Sequence, residues 1–222
     1  MVEAEGAFER IPEPALREVL AELDRLYPDA DCELRHENAL QLLIATILSA
    51  QSTDVRVNQV TETLFERYRT AGEFANADPA VFEQEIRSTG FYRNKTKSVL
   101  GAARKIVGEF GGEVPDTMEG LITLPGVARK TANVVLGTWF RKPVGVVVDT
   151  HVGRLARRLG ISPQKDAVKV ERDLMNRLPR DKWIFMGHAI IWHGRRVCAA
   201  RRPDCANCTL ADWCPRNGLP DC

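Results

Sequence analysis

The stretch LPGVARKTANVV, residues 124–135, is typical of two helices joined by a tight turn. A short apolar segment ends at Leu124, a Pro-Gly pair forms the turn, and residues with helical spacing follow from Arg129. Such a turn directs backbone N–H groups outward at the start of the second helix, where they can bind phosphate. A plain helix–helix connection has the same pattern, so this stretch alone leaves both interpretations open.

Hydrophobic residues repeat with a helical period along most of the chain, which predicts an all-α protein. VGVVV, residues 144–148, is the only strand-like run, and no partner strand is evident. We expect one helical domain over 32–142 and a second formed by 1–31 together with 143–222. The expected helices are 14–26, 39–50, 54–68 capped by Thr53, one from Pro79 capped by Asp78, one from Asn94, 116–122 opened by Asp116, one from Arg129, a helix ending at Gly160 capped by Asp149, 166–178 and 181–197.

The composition predicts a soluble globular protein without a membrane span. Hydrophobic residues make up 44% of the chain and charged residues 27%, and no run of 18 apolar residues occurs. The acidic N-terminus argues against a secretory signal, so we expect a cytoplasmic protein in which disulfides are disfavoured.

The net charge of +1 conceals an uneven distribution of charged residues. Residues 1–37 hold 11 acids and 4 bases, whereas residues 121–165 hold 8 bases and a single acid, Asp149. A second basic cluster follows at Arg195, Arg196, Arg201 and Arg202. A polyanion such as nucleic acid is a natural partner for this half, although a solvated basic face would have the same composition.

Four cysteines near the C-terminus follow the pattern C-x6-C-x2-C-x5-C, at Cys198, Cys205, Cys208 and Cys214. Zinc binds four thiolates, but zinc modules usually contain two C-x2-C pairs, and this pattern has one. Iron–sulfur clusters also take four thiolates, and the longer loops favour a 4Fe–4S cluster over a single ion. Such a cluster would hold Arg201 and Arg202 outward as phosphate contacts. Cys32 and Cys222 lie outside the pattern and are expected not to be ligands.

Lys130 falls in the first turn of the helix that follows the Pro-Gly pair. Most lysines are solvated surface residues without a chemical role. Here the helix dipole and the neighbouring Arg129 both disfavour a second positive charge, which favours the free amine. A free amine can attack a sugar carbon or form a Schiff base.

Asp149 is expected to cap the next helix, and its isolation among bases suggests a second role. The carboxylate could take a proton from Lys130 or stabilise an oxocarbenium-like sugar cation. The sequence does not rank these roles.

Together these motifs resemble the endonuclease III family of DNA glycosylases, over roughly residues 37–215. The resemblance rests on LPGVARKTANVV, VDTH at 148–151, the cysteine pattern, LLIATILSAQSTD at 42–54 and TGFYRNK at 89–95. It implies an all-α protein of two domains with the active site in the cleft between them. It also implies a monomer, associated with the nucleoid, that excises oxidised pyrimidines such as thymine glycol from damaged double-stranded DNA in base excision repair and then cuts by β-elimination.

The resemblance also assigns roles to residues of this chain. Lys130 would attack C1′ of a nucleotide flipped out of the duplex, and Asp149 would assist it. Gln51 would fill the gap left by the flipped base, and Phe91 would be a second wedge. The four cysteines would bind a 4Fe–4S cluster. The remaining candidate DNA contacts are Gly126, Ala128 and Arg129 of the hairpin, His151 in an orienting role, and Arg201 and Arg202.

One position departs from the family pattern, in which the hairpin is usually Gly-Val-Gly. Here Ala128 takes the place of the last glycine. If this residue must be left-handed, alanine costs about 1–2 kcal/mol. If it is helical, the methyl group could only crowd a phosphate. Either way we expect weaker duplex binding than in a relative with glycine.

Three alternatives stay open on the sequence alone. An adenine-specific mismatch glycosylase shares the cluster and the aspartate, but it normally has serine where Lys130 stands. A non-catalytic iron–sulfur DNA-binding module would not need both Lys130 and Asp149. A zinc-stabilised helical protein is the third alternative.

Overall fold

A computed structural model describes residues 7–219, and in this part of the chain every regular element is helical. The predicted all-α fold is therefore confirmed. Short 3₁₀ turns at Arg87–Thr89 and Arg180–Lys182 and a π turn at Val135–Trp139 supplement the α-helices. The α-helices are α1 (Glu13–Leu26), α2 (Ala39–Leu48), α3 (Asp54–Arg67), α4 (Ala71–Ala75), α5 (Pro79–Glu85), α6 (Tyr92–Glu109), α7 (Met118–Leu121), α8 (Arg129–Val134), α9 (Thr150–Arg158), α10 (Ala167–Arg177) and α11 (Trp183–Arg196).

The chain forms two compact units, each with its own buried core. One unit, residues 32–144, contains α2 to α8. Seven of the ten residues of α2 are buried, as its nearly uniform apolar sequence predicts. The rings of Tyr68, Phe74 and Phe82 lie 5.1–6.1 Å apart and pack beside α4, α5 and α6. We name this unit the hairpin unit.

The other unit combines the described residues up to Asp31 with those from Gly145 onward. Its core brings the apolar face of α1 against α9, α10 and α11, with Leu16, Val152 and Ile190 almost fully buried. Arg177 ties the N-terminal segment to α10, because its guanidinium donates to Ile11 O at 2.6 Å and to Glu13 Oε1 at 2.7 Å. We name this unit the cysteine unit.

Three of the helix caps predicted from the sequence are confirmed. Thr53, Asp78 and Asp149 each accept backbone N–H groups at the starts of α3, α5 and α9. The prediction for α7 was wrong, because Thr117 caps this helix and Asp116 instead pairs with Lys142.

One further prediction, the start of α6, was wrong for a tertiary reason. Helix α6 begins at Tyr92 rather than Asn94, because Phe91 adopts a left-handed backbone conformation that lets the chain enter the helix without a side-chain cap. The strand-like run 144–148 forms no strand in the described chain, in agreement with the predicted all-α fold. Val146 and Val148 are instead buried in the core of the cysteine unit, which explains why this run of the sequence is apolar.

No helix among residues 7–219 combines the length and apolar character that crossing a membrane requires.

Candidate functional site

The hairpin between α7 and α8 is anchored by two buried residues, Leu124 and Val127. Val127 N donates to Leu124 O at 3.1 Å and closes the turn, which leaves Gly126 exposed at its tip. Gly126 has φ +77°, and a Cβ atom there would lie 2.5 Å from Ser98 Cβ. Only glycine therefore fits this position.

Ala128 is the N-cap residue of α8 and has an extended backbone, with φ −98° and ψ 174°. It is neither left-handed nor helical, so both conformations considered for this position were wrong. Alanine stands here without backbone strain. Helix α8 has no side-chain cap, and the exposed Arg129 and Lys130 occupy its first two positions.

Gln51 and Phe91 share an unusual conformation. Their φ angles are 53° and 48°, in the left-handed region that residues other than glycine seldom adopt. Both residues are exposed, and Phe91 retains 61% of its accessible surface, so it is not part of the core. Ser52 N donates to Ser49 O at 3.0 Å and closes the turn around Gln51. Strain of this kind occurs most often at functional sites.

In the cysteine unit, Asp149 is half-buried and fixed by the helix that it caps. Its Oδ1 accepts from His151 N and Val152 N, both at 2.8 Å. Within residues 7–219 the second carboxylate oxygen, Oδ2, receives no such backbone bond. The His151 ring lies 3.1 Å, Nδ1 to Nη2, from Arg154.

The four patterned cysteines line one cavity, together with apolar residues such as Leu155, Leu159 and Leu210. Among the described residues none of the four thiols is in a disulfide, and neither is Cys32, which lies in the hairpin unit. Cys222 lies outside the described residues. Among residues 7–219 no three His, Cys, Asp or Glu side chains are close enough to hold a single ion. Burial raises the pKa of the Cys208 and Cys214 thiols.

The surroundings of the cavity fit a group with negative charge. Arg158 is 7% exposed and donates to Cys198 Sγ at 3.1 Å and to Ala199 O at 2.8 Å. Among the described residues no carboxylate pairs with Arg158. A buried cation needs an anionic partner, and ligating thiolates would supply one. The residues present therefore fit an iron–sulfur cluster.

Arg154 and Arg158 belong to the basic stretch 121–165, for which the sequence left open a nucleic-acid partner and a solvated face. The Arg154 guanidinium donates to Gly194 O at 2.9 Å and to Cys198 O at 3.0 Å. It therefore supports the segment from Val197 to Leu219 that carries the four cysteines, which we name the cysteine segment. Their spacing of four residues places both arginines on one face of α9, and this spacing is the sequence feature that could have indicated a shared role. That this face meets residues forty positions later could not be seen in the sequence.

Sequence analysis missed a second support, the pair Tyr27 and His193. Tyr27 Oη lies 3.0 Å from His193 Nδ1, and His193 Nε2 lies 3.5 Å from Cys208 Sγ. Burial lowers the pKa of His193 to about 4, so the ring is neutral at physiological pH. Arg201 and Arg202, by contrast, are exposed on the cysteine segment.

The chain is similar to known proteins over most of its length. Residues 44–180 match the family model described as HhH-GPD superfamily base excision DNA repair protein. Endonuclease III of Synechocystis sp. is 56% identical over 89% of this chain and 90% of its own, and endonuclease III of Bacillus subtilis is 43% identical over 88% and 89%. A solved structure of a non-covalent endonuclease III–DNA complex superposes with a TM-score of 0.89 at 42% identity, covering 93% of this chain and 97% of that one.

The chain therefore belongs to the HhH-GPD superfamily of base excision DNA repair proteins and, within it, to the endonuclease III family. Members of this family are DNA glycosylases with AP lyase activity. The function expected from the sequence is confirmed at this level.

Proposed function

We propose that this enzyme removes oxidised pyrimidines, such as thymine glycol, from duplex DNA and then cuts the strand through a Schiff base on Lys130. The observation that carries the proposal is the place of Lys130. It is an exposed amine in the first turn of α8, which has no side-chain cap. The helix directly follows a hairpin whose tip, at Gly126, only glycine can occupy. The hairpin can bind backbone phosphates through main-chain N–H groups and so bring the sugar to the amine.

The chemistry requires a free amine and a flipped nucleotide. The Lys130 nitrogen attacks C1′ and loses a proton, and the glycosidic bond from C1′ to the base nitrogen breaks with its electron pair leaving on the base, which is then protonated. The C1′–O4′ bond then breaks, O4′ takes up a proton, and an iminium ion remains between C1′ and the Lys130 nitrogen. Loss of a proton from C2′ then expels the 3′ phosphate and cuts the strand by β-elimination. Asp149 is proposed to assist as a carboxylate that takes a proton or stabilises positive charge on the sugar.

Two exposed residues of the hairpin unit are proposed to act on the base stack. Gln51 can hydrogen-bond the base left without its partner, and Phe91 can stack in the opened step. Their left-handed backbones support this assignment, since such strain persists only where the surroundings hold it. Gly126, Ala128, Arg129, Arg201 and Arg202 are proposed phosphate contacts, with His151 orienting the segment around Asp149.

We also propose that Cys198, Cys205, Cys208 and Cys214 bind a 4Fe–4S cluster. When bound, the cluster cross-links four points of a segment that otherwise has no regular structure between Val197 and Leu219. Arg158 and His193 would donate to two of the sulfur ligands. The segment would then present Arg201 and Arg202 in a fixed arrangement.

Borohydride trapping tests the proposed chemistry on a duplex that contains one thymine glycol. The wild type should form a covalent adduct, Lys130→Ala should form none, and Lys97→Ala, which removes an exposed lysine of α6, should behave as the wild type. An adduct that survives in Lys130→Ala would refute the assignment of the nucleophile. If folded wild type forms no adduct with thymine glycol but acts on an A:8-oxoguanine duplex, the proposed substrate class is wrong.

A further inference from the structure

Lys95 is a buried lysine in the first turns of α6. It is 4% exposed, and its Nζ donates to Thr89 O at 2.8 Å. Among the described residues no carboxylate pairs with it. Burial lowers the pKa of this amine. Lysines are seldom fully buried without an acidic partner, so the single bond to Thr89 calls for an explanation.

The bond holds the Thr89–Gly90 peptide, which lies one residue before Phe91. Thr89 is 2% exposed and ends the 3₁₀ turn, so water cannot replace the amine as donor to its carbonyl. Gly90 and Phe91 follow with φ angles of 72° and 48°. Glycine tolerates this conformation at no cost, whereas phenylalanine does not. Phe91 therefore keeps its unfavourable backbone only if the chain is held on both sides of it.

Lys95 holds the chain on both sides of Phe91. Its side chain binds the carbonyl two residues before Phe91, at Thr89, while its main-chain N–H donates to Phe91 O at 3.1 Å. One residue thus brackets the left-handed turn. The outcome is an aromatic side chain that is 61% exposed although the next helix begins immediately after it.

We propose that Lys95 is a positioning residue for base flipping, whose amine keeps Phe91 exposed and oriented for insertion into the duplex. This inference rests on the proposed function, because it takes Phe91 as a wedge. Lys95 itself contacts neither substrate nor reacting atoms. A methionine would fill nearly the same volume without a buried charge, so the amine contributes its hydrogen bond rather than packing.

The test compares Lys95→Met, Phe91→Ala and the double variant with the wild type, and Lys97→Met is the control because Lys97 is an exposed lysine two residues away. Single-turnover base removal on a thymine-glycol duplex should slow about tenfold in Lys95→Met, as expected for loss of a bond to a charged donor. Strand cleavage of a single-stranded abasic oligonucleotide, which needs no wedge, should be unchanged. Lys95→Met should add nothing in the Phe91→Ala background.

A trifluoromethyl-phenylalanine placed at position 91 gives a readout that is independent of activity. Its fluorine resonance should shift or broaden in Lys95→Met and stay unchanged in Lys97→Met. An unchanged resonance in Lys95→Met, or an equal further loss of rate in the Phe91→Ala background, would overturn the inference. If the wild type itself acts on neither DNA substrate, the proposed function is refuted. The fluorine measurement alone then tests whether Lys95 orients Phe91.

If Lys95→Met does not fold, Lys95→Gln replaces it, since its amide is one bond shorter and reaches Thr89 O poorly. The same fluorine change and an intermediate duplex rate are then expected. Wild-type values for both measurements would overturn the inference.

Discussion

At the scale of single residues, Gln51 combines backbone strain with a proposed role in the DNA. Both Gln51→Ala and Gln51→Gly remove the side-chain amide, so both should slow base removal on a duplex. Only glycine relieves the left-handed backbone at φ 53°. We expect the Gly variant to exceed the Ala variant by about 1 kcal/mol in free energy of unfolding, measured by denaturant titration. Equal stabilities would show that position 51 is unstrained in solution.

Substitutions of Asp149 can separate the role of its carboxylate charge from its role as a helix cap. Asparagine caps helices as well as aspartate, whereas alanine loses the bonds to His151 N and Val152 N. We therefore expect Asp149→Asn to unfold like the wild type and Asp149→Ala to lose about 1 kcal/mol. Both variants should lose most base removal if the carboxylate charge is required. An active Asp149→Asn would restrict the role of this residue to the structure of α9.

At the scale of elements, the hairpin separates a position that requires glycine from one that does not. Gly126→Ala introduces a left-handed alanine and a methyl group against Ser98, so the free energy of unfolding should fall by at least about 1–2 kcal/mol and duplex binding should weaken. Gly108→Ala is the matched control. A Cβ there meets nothing within 4 Å, and alanine in the last turn of α6 should leave the protein at least as stable as the wild type.

Ala128→Gly tests the other hairpin position. Because the residue is extended, glycine relieves no strain, and the free energy of unfolding should not rise. If the methyl group crowds a phosphate, duplex affinity measured by fluorescence anisotropy should increase. Unchanged affinity would remove the expectation that this alanine weakens binding.

The elements also show which parts of the structure the sequence can predict. Thr53, Asp78 and Asp149 mark helix starts because a cap is a contact within three residues. The start of α6 was missed because its conformation at Phe91 opposes local preference and depends on the buried amine of Lys95. Hydrophobic runs predicted burial correctly, but burial without strand pairing at 144–148 gave the same pattern as a strand.

At the scale of the whole molecule, sequence motifs identify the candidate functional residues but not the residues that hold these in place. The family motifs contain the hairpin, the lysine, the aspartate and the cysteines in chain order. The supports Arg154, Arg158 and His193 become visible only when segments separated by 15 to 44 positions come together. Long-range contacts of this kind leave no regular spacing in one sequence, so the charge pattern alone does not reveal the role of either arginine.

We propose that the two compact units are domains, and removal of iron provides the test. Cys198, Cys208 and Cys214 pack against the core of the cysteine unit, and Leu210 between them is 1% exposed. Purified protein should contain about four irons per chain, and Cys205→Ser should lose them, while Cys32→Ser should not. Without iron, backbone amides of the cysteine unit should exchange faster with solvent, because its core loses the cross-linked segment, whereas residues 32–144 should keep their protection. Equal loss of protection in both units would show a single cooperative domain, and no loss in either would show that the segment folds without a cluster.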